Sequence, residues 1–255
     1  SDSKDEIVIL DKKTNTHLHH YAVFGDSWSP YGQVAEGLDD DLEIEYPSAD
    51  VPGLTTVAQI ATLCNEAFLT VTLPEQTDDD TNNNGPIFAK QGAATEASLL
   101  VLAEKLGTPD DPAIIAKYYA EQSPAANESC VDVIRSNLPL NEQVSYVNSY
   151  WKNRCEQEAI LEFGRDRKSM SVIVNDKITK QRILLCKGAA ERILDRCNSI
   201  QCDNGIIPLT ATIRRGLEDN LELLNSKGLR TLAIAFTTTL PKVGRPSLSD
   251  DSKYE

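Results

Sequence analysis

Three cations stand within the five residues Gly164-Arg165-Asp166-Arg167-Lys168, directly after Phe163 and before Ser169. An aromatic at the end of an apolar strand, set beside guanidinium and ammonium groups, is a platform for a flat base that carries phosphates. A plainer account is a hairpin whose Phe packs in the core and whose cations are solvated; taken alone, the stretch favours it. Lys187-Gly188 is a second candidate. Alternation sets Ile183, Leu185 and Lys187 on one strand face, so the lysine emerges from apolar surroundings, where burial is costly without an anionic partner. Gly188 permits close backbone approach, and the helix start just beyond it offers free N–H groups. A lysine snorkelling from a strand end explains the same residues equally well. Arg230 reads as a cation at the head of a strand. Thr95-Glu96 reads as the first turn of a helix, Thr capping it and Glu favoured by its dipole; Glu96 also has the chemistry to accept from the amino group of a base.

Two other motifs fall short of catalytic chemistry, and no catalytic residue is assigned. Asp11-Lys12-Lys13-Thr14 only resembles a phosphorylated Asp-Lys-Thr-Gly-Thr loop, because the Gly is missing and the register is wrong. Gly164 to Ser169 ends in the Lys-Ser of a P-loop but lacks its second Gly and a preceding phosphate nest. No metal site is assigned either. His17 and His19 alternate to one face, yet no Cys lies near and no third ligand follows, so they read as strand residues. Cys64, Cys130, Cys155, Cys186, Cys197 and Cys202 show no CxxC spacing. Scattered through apolar segments, they fit buried reduced thiols rather than zinc ligands. The triplet Asn127-Glu128-Ser129 is then a chance match to a glycosylation site.

The elements that must position these residues are legible from periodicity. Ile7–Leu10 and His17–Phe24 read as strands joined by a polar turn, and residues 25–53, with Asp39-Asp40-Asp41, as an irregular connection. Gly53 to Phe68 has helical spacing at Leu54, Val57, Ile60, Ala61, Cys64 and Phe68, with Thr55 or Thr56 able to cap it. Thr77 to Asn84 is a low-complexity polar loop expected to be mobile. A short strand at 87–90 precedes a helix at about 94–106 with a stripe of Leu99, Leu102, Ala103 and Leu106, ended by Gly107. Residues 110–137 read as partly helical, broken at Pro124, and Asn141 to Cys155 as a helix buried through Val144, Val147, Tyr150 and Trp151. Strands at 157–163, 169–175 and 181–187 follow, with Ala159, Leu161 and Phe163 on one face of the first. A helix from Glu191 to Arg196, a hairpin turn at Cys202–Gly205, a helix from Thr210 to Ser226 and a strand from Thr231 to Phe236 complete the core. Three consecutive strands on short turns call for antiparallel pairing. The fold class is α+β, a mainly antiparallel sheet flanked by helices, in one domain spanning 1–255 with an ordered core of about 5–240 and a linker at 241–255.

Composition narrows the partners. With 39 acidic residues against 25 Lys and Arg, the net charge of −14 argues against sequence-independent nucleic-acid binding or adhesion to anionic lipid. It also makes a local cluster of cations informative. No apolar run approaches the roughly eighteen residues of a membrane span, and the polar opening Ser1–Glu6 carries no secretory signal.

Gly92-Ala-Ala-Thr-Glu-Ala97, Leu161-Glu-Phe-Gly-Arg-Asp-Arg-Lys-Ser-Met-Ser-Val172, Lys187-Gly-Ala-Ala-Glu191 and Gly228-Leu-Arg-Thr-Leu232 stand in the order seen in nucleotide-binding domains of P-type ATPases. Leu63-Cys64-Asn65 and the stretch from Phe24 to Val34 are similar to that family too, and calcium pumps of the sarco/endoplasmic-reticulum type are resembled most. The likeness covers nearly the whole chain, and its long central motif is specific. There are departures. The family's Lys-Gly-Ala-Pro-Glu reads Lys187-Gly-Ala-Ala190-Glu191, which weakens helix pre-organisation but removes no side-chain contact. Gly164 is commonly Ser in relatives. The acidic 36–45 stretch and the Asp/Asn loop are read as lineage-specific and carry no assigned role.

The resemblance implies that Phe163 stacks on adenine and Glu96 meets its amino edge. Lys187 lines the adenine end of the pocket beside Gly188 and Ala189, and Arg165 and Arg230 hold the phosphates. Thr95, Lys168, Met170 and Leu232 complete the wall. It implies an ATP- or ADP-binding domain of a calcium-transporting pump on the cytosolic face of an endoplasmic-reticulum-type membrane, itself monomeric and outside the membrane. Mg2+ joins in the full pump, and the phosphorylation and actuator domains are the partners. The phosphorylated Asp lies on a separate domain, so these residues are expected to bind the nucleotide without hydrolysing it. An open cleft with no closing partner implies weak affinity, with Kd on the order of 0.1–1 mM. Two alternatives stand beside this. One is the equivalent domain of a sodium/potassium or proton pump; the other is a non-enzymatic acidic module whose basic hairpin docks a partner's carboxylates.

Overall fold

The computed structural model describes residues 5–10, 18–26, 28–37, 43–73, 85–121, 134–202 and 205–240. They fall into two compact units, one holding residues 5–7, 20–58 and 65–149, the other residues 8–10, 18–19, 59–64 and from 150 onward. The expectations for Asp11–Thr14, His17, Asp39–Asp41, Thr77–Asn84, Pro124, Asn127–Ser129, Cys130 and the 241–255 tail lie outside the described residues.

Strands β1 (Asp5–Leu10), β2 (Leu18–Phe24) and β3 (Gln33–Glu36) form a sheet in that order, β2 and β3 antiparallel. β3 falls in the stretch expected to be irregular. Its two core residues, Val34 and Ala35, are too few to give an alternating signal against the surrounding Gly, Pro and Asp. The short α1 (Pro47–Asp50) lies in the same stretch. α2 (Pro52–Leu63) buries Leu54, Ile60 and Ala61 as the spacing predicts. Thr55 and Thr56 do not cap it; their hydroxyls donate to the carbonyls of Ser48 and Pro52, and Pro52 itself opens the helix. The helix also stops five residues short of Phe68. Asn65 makes the break: its side-chain oxygen accepts from Ala67 N at 2.9 Å, closing an Asx turn. Phe68 then begins β4 (Phe68–Thr72), antiparallel to β5 (Ile87–Gln91), and is 57% exposed rather than part of a helical stripe.

α3 (Ala94–Leu106) has the predicted bounds but a wider buried surface. Ala97, Leu100 and every residue from Val101 to Leu106 are buried, including Glu104 and Lys105, while Leu99 is only half-buried. Gly107, at φ 73, ends it in the left-handed region. α4 (Asp111–Glu121), α5 (Leu140–Gln143) and α6 (Tyr146–Arg154) follow, so the helix expected over 141–155 is broken at Val144–Ser145. Glu104 is fully buried and survives because its carboxylate collects donors: Arg135 Nη2 at 3.0 Å, Val147 N at 3.1 Å, Asn148 N at 2.9 Å and Asn148 Nδ2 at 2.7 Å. Arg135, equally buried, also donates to the carbonyls of Pro30 and Glu104.

The second unit is built on the antiparallel sheet of β6 (Cys155–Gly164), β7 (Ser169–Asp176), β8 (Arg182–Ala189) and β11 (Leu232–Thr237), in the order β11-β8-β7-β6. One face carries Ile173, Leu184 and Cys186, covered by Ile193 of α7 (Ala190–Arg196). Full burial of Leu184 and Ile193 contributes about 1.5–3 kcal/mol each. β9 (Ser199–Cys202) and β10 (Gly205–Pro208) form the expected hairpin, whose Cys202 packs on Ile213 and Leu217 of α8 (Ala211–Ser226). Thr210 caps α8 by accepting from Ile213 N at 3.3 Å. At the far end of the sheet Asp176 accepts from Ile178 N, Thr179 N and Arg154 Nε, locking the β7–β8 turn. Burial pulls its carboxyl pKa upward, but the two N–H groups and Arg154 outweigh that and hold it below the ordinary carboxylate value. The class is therefore the α+β arrangement of antiparallel sheet and helices that the sequence implies.

Candidate functional site

The pairing of β6 with β7 decides where Phe163 lies. Leu161 pairs with Ser171, but the next pair is Gly164 with Ser169, so β6 spends one extra residue in a bulge. Simple alternation puts Phe163 on the face of Ala159 and Leu161. Counted from Gly164 after the bulge, it falls on the opposite face. That face holds Met170, whose partner on β8 is Lys187; Lys187 in turn pairs with Ile234, and Ala189 with Leu232. Phe163, Met170, Lys187, Ala189 and Leu232 thus share the sheet face turned away from Ile173 and Cys186. Leu161, before the bulge, is 5% exposed, whereas Phe163 is 62% exposed at the end of a face whose Val172 and Leu185 are buried. Leu232 is partly exposed as well, while Met170 and Lys187 are buried.

The basic turn is held from below. Lys168 N donates to Gly164 O at 2.7 Å, and Lys168 O accepts from Ala189 N at 2.9 Å. Lys168 itself sits at φ 51, a left-handed conformation that costs a non-glycine residue roughly 1–2 kcal/mol. A Cβ on Gly188 would stand 2.5 Å from Lys168 O and 2.9 Å from Ser169 Cα. The close approach expected of Gly188 is therefore to the chain's own turn. Arg196 completes the support, donating to Ser169 Oγ at 3.0 Å and to Arg167 O at 3.3 Å. Arg167 donates to Glu162 O, and Lys168 Nζ lies 3.6 Å from Glu191 in an exposed pair worth little. Arg165 makes no ion pair or hydrogen bond among the described residues and faces solvent. Two cations of the turn are thus engaged by protein and the third faces solvent.

Arg230 is placed by the end of α8. Gly228, at φ 75, lets Leu229 N reach back to Leu224 O and Gly228 N to Asn225 O, a cap that directs the chain through Arg230 into β11. Thr95 and Glu96 belong to the other unit, in the first turn of α3. Thr95 does not cap that helix; Ala93 occupies the cap position with no side-chain bond. Asn65 Nδ2 donates to Glu96 O at 2.8 Å, so the residue that breaks α2 also fixes the backbone beneath Glu96. Asn65 and Arg196 as supports escape a reading of sequence, since an Asn after a helix and an Arg in a last turn are common for local reasons alone. Among the described residues no group of His, Cys, Asp and Glu is arranged to hold a metal ion, and no helix is long and apolar enough to cross a membrane.

The sheet thus presents an exposed phenyl ring, a buried lysine and a propped basic turn, and comparison with known proteins gives the family. The family model described as P-type ATPase, cytoplasmic domain N, matches residues 53–253, so the chain belongs to that family. Among curated relatives, calcium-transporting ATPase 3, endoplasmic reticulum-type, of Arabidopsis thaliana is 33% identical over 250 residues, covering 97% of this chain and 22% of the relative. Calcium-transporting ATPase 2, endoplasmic reticulum-type, of the same plant is 31% identical over 244 residues, covering 93% of this chain and 19% of its own length. The chain spans about a fifth of the length of these relatives.

Proposed function

We propose that the chain binds ATP or ADP on the sheet face that carries Phe163, and that it serves a calcium-transporting P-type pump. The observation that supports this is the bulge between Leu161 and Gly164, which sets an exposed aromatic on the same face as Met170, Lys187 and Leu232. Adenine stacks on Phe163, with Met170, Ala189 and Leu232 as apolar wall and Lys187 at its edge. Arg165, unpaired at the turn, takes phosphate oxygens, with Arg230 and Lys168 as the further cations and Gly188 holding the turn in place. Thr95 and Glu96 enter the proposal through the family likeness, Glu96 accepting from the adenine amino group.

In this reading no residue of the chain does covalent chemistry. It positions a nucleotide so that the γ-phosphate reaches an aspartate on a separate phosphorylation domain, and Mg2+ accompanies the phosphates in the full pump. The names of the two relatives support calcium as the transported ion and an endoplasmic-reticulum-type membrane as the location. Titration of the chain with ATP and with tripolyphosphate, followed by calorimetry and amide shifts, tests the reading. The expected result is ATP binding with Kd on the order of 0.1–1 mM and clearly weaker tripolyphosphate binding. No response to millimolar ATP, or equal affinity for the two, overturns it; the second outcome supports an anion-docking module instead.

A further inference from the structure

We propose that the groove between α7 and α8 docks a protein segment rich in Lys and Arg that carries an apolar anchor residue. The groove measures about 280 Å³ and lies in the unit that bears the sheet. Its floor is Leu194 of α7 and Leu221 of α8, both half-buried. Ile213 and Leu217, two turns and one turn earlier on α8, pack on the β9–β10 hairpin, so Leu221 is the next apolar residue along the helix, and it lines the groove.

The rims are acidic on both sides. Glu191 and Asp195 stand one turn apart on α7, and Glu218 and Glu222 one turn apart on α8, with Asn225 beyond them. Like charges at this spacing repel and destabilise a helix; Arg192 and Arg215 stand three residues before Asp195 and Glu218, yet neither forms an ion pair with them among the described residues. Arg214 is turned inward to the carbonyls of Leu194 and Cys197, at 2.9 Å each. Asp195, Glu218 and Glu222 make no hydrogen bond or ion pair among the described residues, and Glu191 has only the long exposed contact to Lys168. These carboxylates do not converge as metal ligands do. Acidic pairs contributed by two neighbouring helices around an apolar floor complement a helical segment with basic residues one turn apart and a leucine-like side chain between them.

The test uses the whole chain and a fluorescent Lys/Leu peptide whose leucines fall on one helical face, compared with a scrambled peptide of identical composition. Anisotropy should show the amphipathic peptide binding roughly tenfold or more tighter than the scrambled one, a difference of about 1.4 kcal/mol. Amide shifts should concentrate at Glu191, Leu194, Leu221 and Asn225. Glu218→Lys/Glu222→Lys should weaken binding about tenfold or more while leaving the circular dichroism spectrum unchanged. Asp50→Lys/Glu156→Lys, which alters net charge equally at exposed sites elsewhere, should have little effect. The proposal is overturned if both peptides bind alike, if both double variants weaken binding equally, or if the shifts lie outside the groove. Any of these would reduce the attraction to the overall negative charge.

Discussion

Replacing Gly188 by Ala probes the way the sheet holds the basic turn. The new Cβ would meet Lys168 O at 2.5 Å and the Ser169 Cα and Cβ at 2.9 Å. The first two of these are main-chain atoms, so no rotamer relieves them. To open the closest contact to even 3.0 Å, the turn and β8 must separate by about 0.5 Å. Overpacking of this kind costs about 1–3 kcal/mol. The hydrogen bond from Ala189 N to Lys168 O lies at the same point, and its weakening adds about 0.5–1.5 kcal/mol. Against this, alanine narrows the unfolded ensemble and offsets about 0.4–1 kcal/mol. The net loss is roughly 0.5–4 kcal/mol, and at its centre of about 2 kcal/mol the unfolding temperature drops by about 4–8 °C for a chain of this length. Thermal unfolding measures it, and amide shifts at 165–169 locate it. Adding Ser169→Gly removes the Cβ contact but leaves Lys168 O, so it should restore only the smaller part. A G188A chain with unchanged unfolding temperature and unmoved turn amides would refute the reasoning.

Other consequences follow from buried polar groups. Arg135→Ala strips the guanidinium from a fully buried Glu104 and should cost about 3–5 kcal/mol in urea unfolding, whereas joint replacement of both by Met should recover much of it. Asp176, whose folded pKa lies below the ordinary 3.8, contributes stability that is present above that value and lost as pH falls through the folded one. Asp176→Asn should therefore be less stable by about 1.5–3 kcal/mol at neutral pH, a gap that closes in acid unfolding below about pH 3.8. Burial raises the thiol pKa of Cys155 and Cys197, the latter despite nearby Arg214. Both should therefore alkylate slowly at pH 8 until denaturant is added, and fast labelling of the native chain would contradict their placement.

Much of the architecture was legible in the residues because its signals are local. Val172, Val174 and Leu185 mark strands whose short turns dictate antiparallel pairing, and Leu100 to Gly107 mark the end of α3. Three features escaped for a physical reason. β3 and β4 are too short for alternation to outweigh the helix-like or turn-rich context around them. The Glu104–Arg135–Asn148 network joins residues 31 and 44 positions apart, and nothing near any of them in sequence announces it. The bulge before Gly164 adds one residue to β6 and so reverses the face predicted for Phe163, although its exposure is what a stacking platform requires. The candidate residues themselves were named by motif, and Gly188 accommodates the neighbouring turn.

Nucleotide titration of the Phe163→Ala chain tests the central claim most directly. The ring is 62% exposed, so its removal should change stability by no more than about 0.5 kcal/mol. Loss of base stacking should cost about 1–3 kcal/mol of ATP affinity, roughly 5- to 150-fold, with tripolyphosphate binding unaltered. ATP affinity equal to that of the unaltered chain would contradict it.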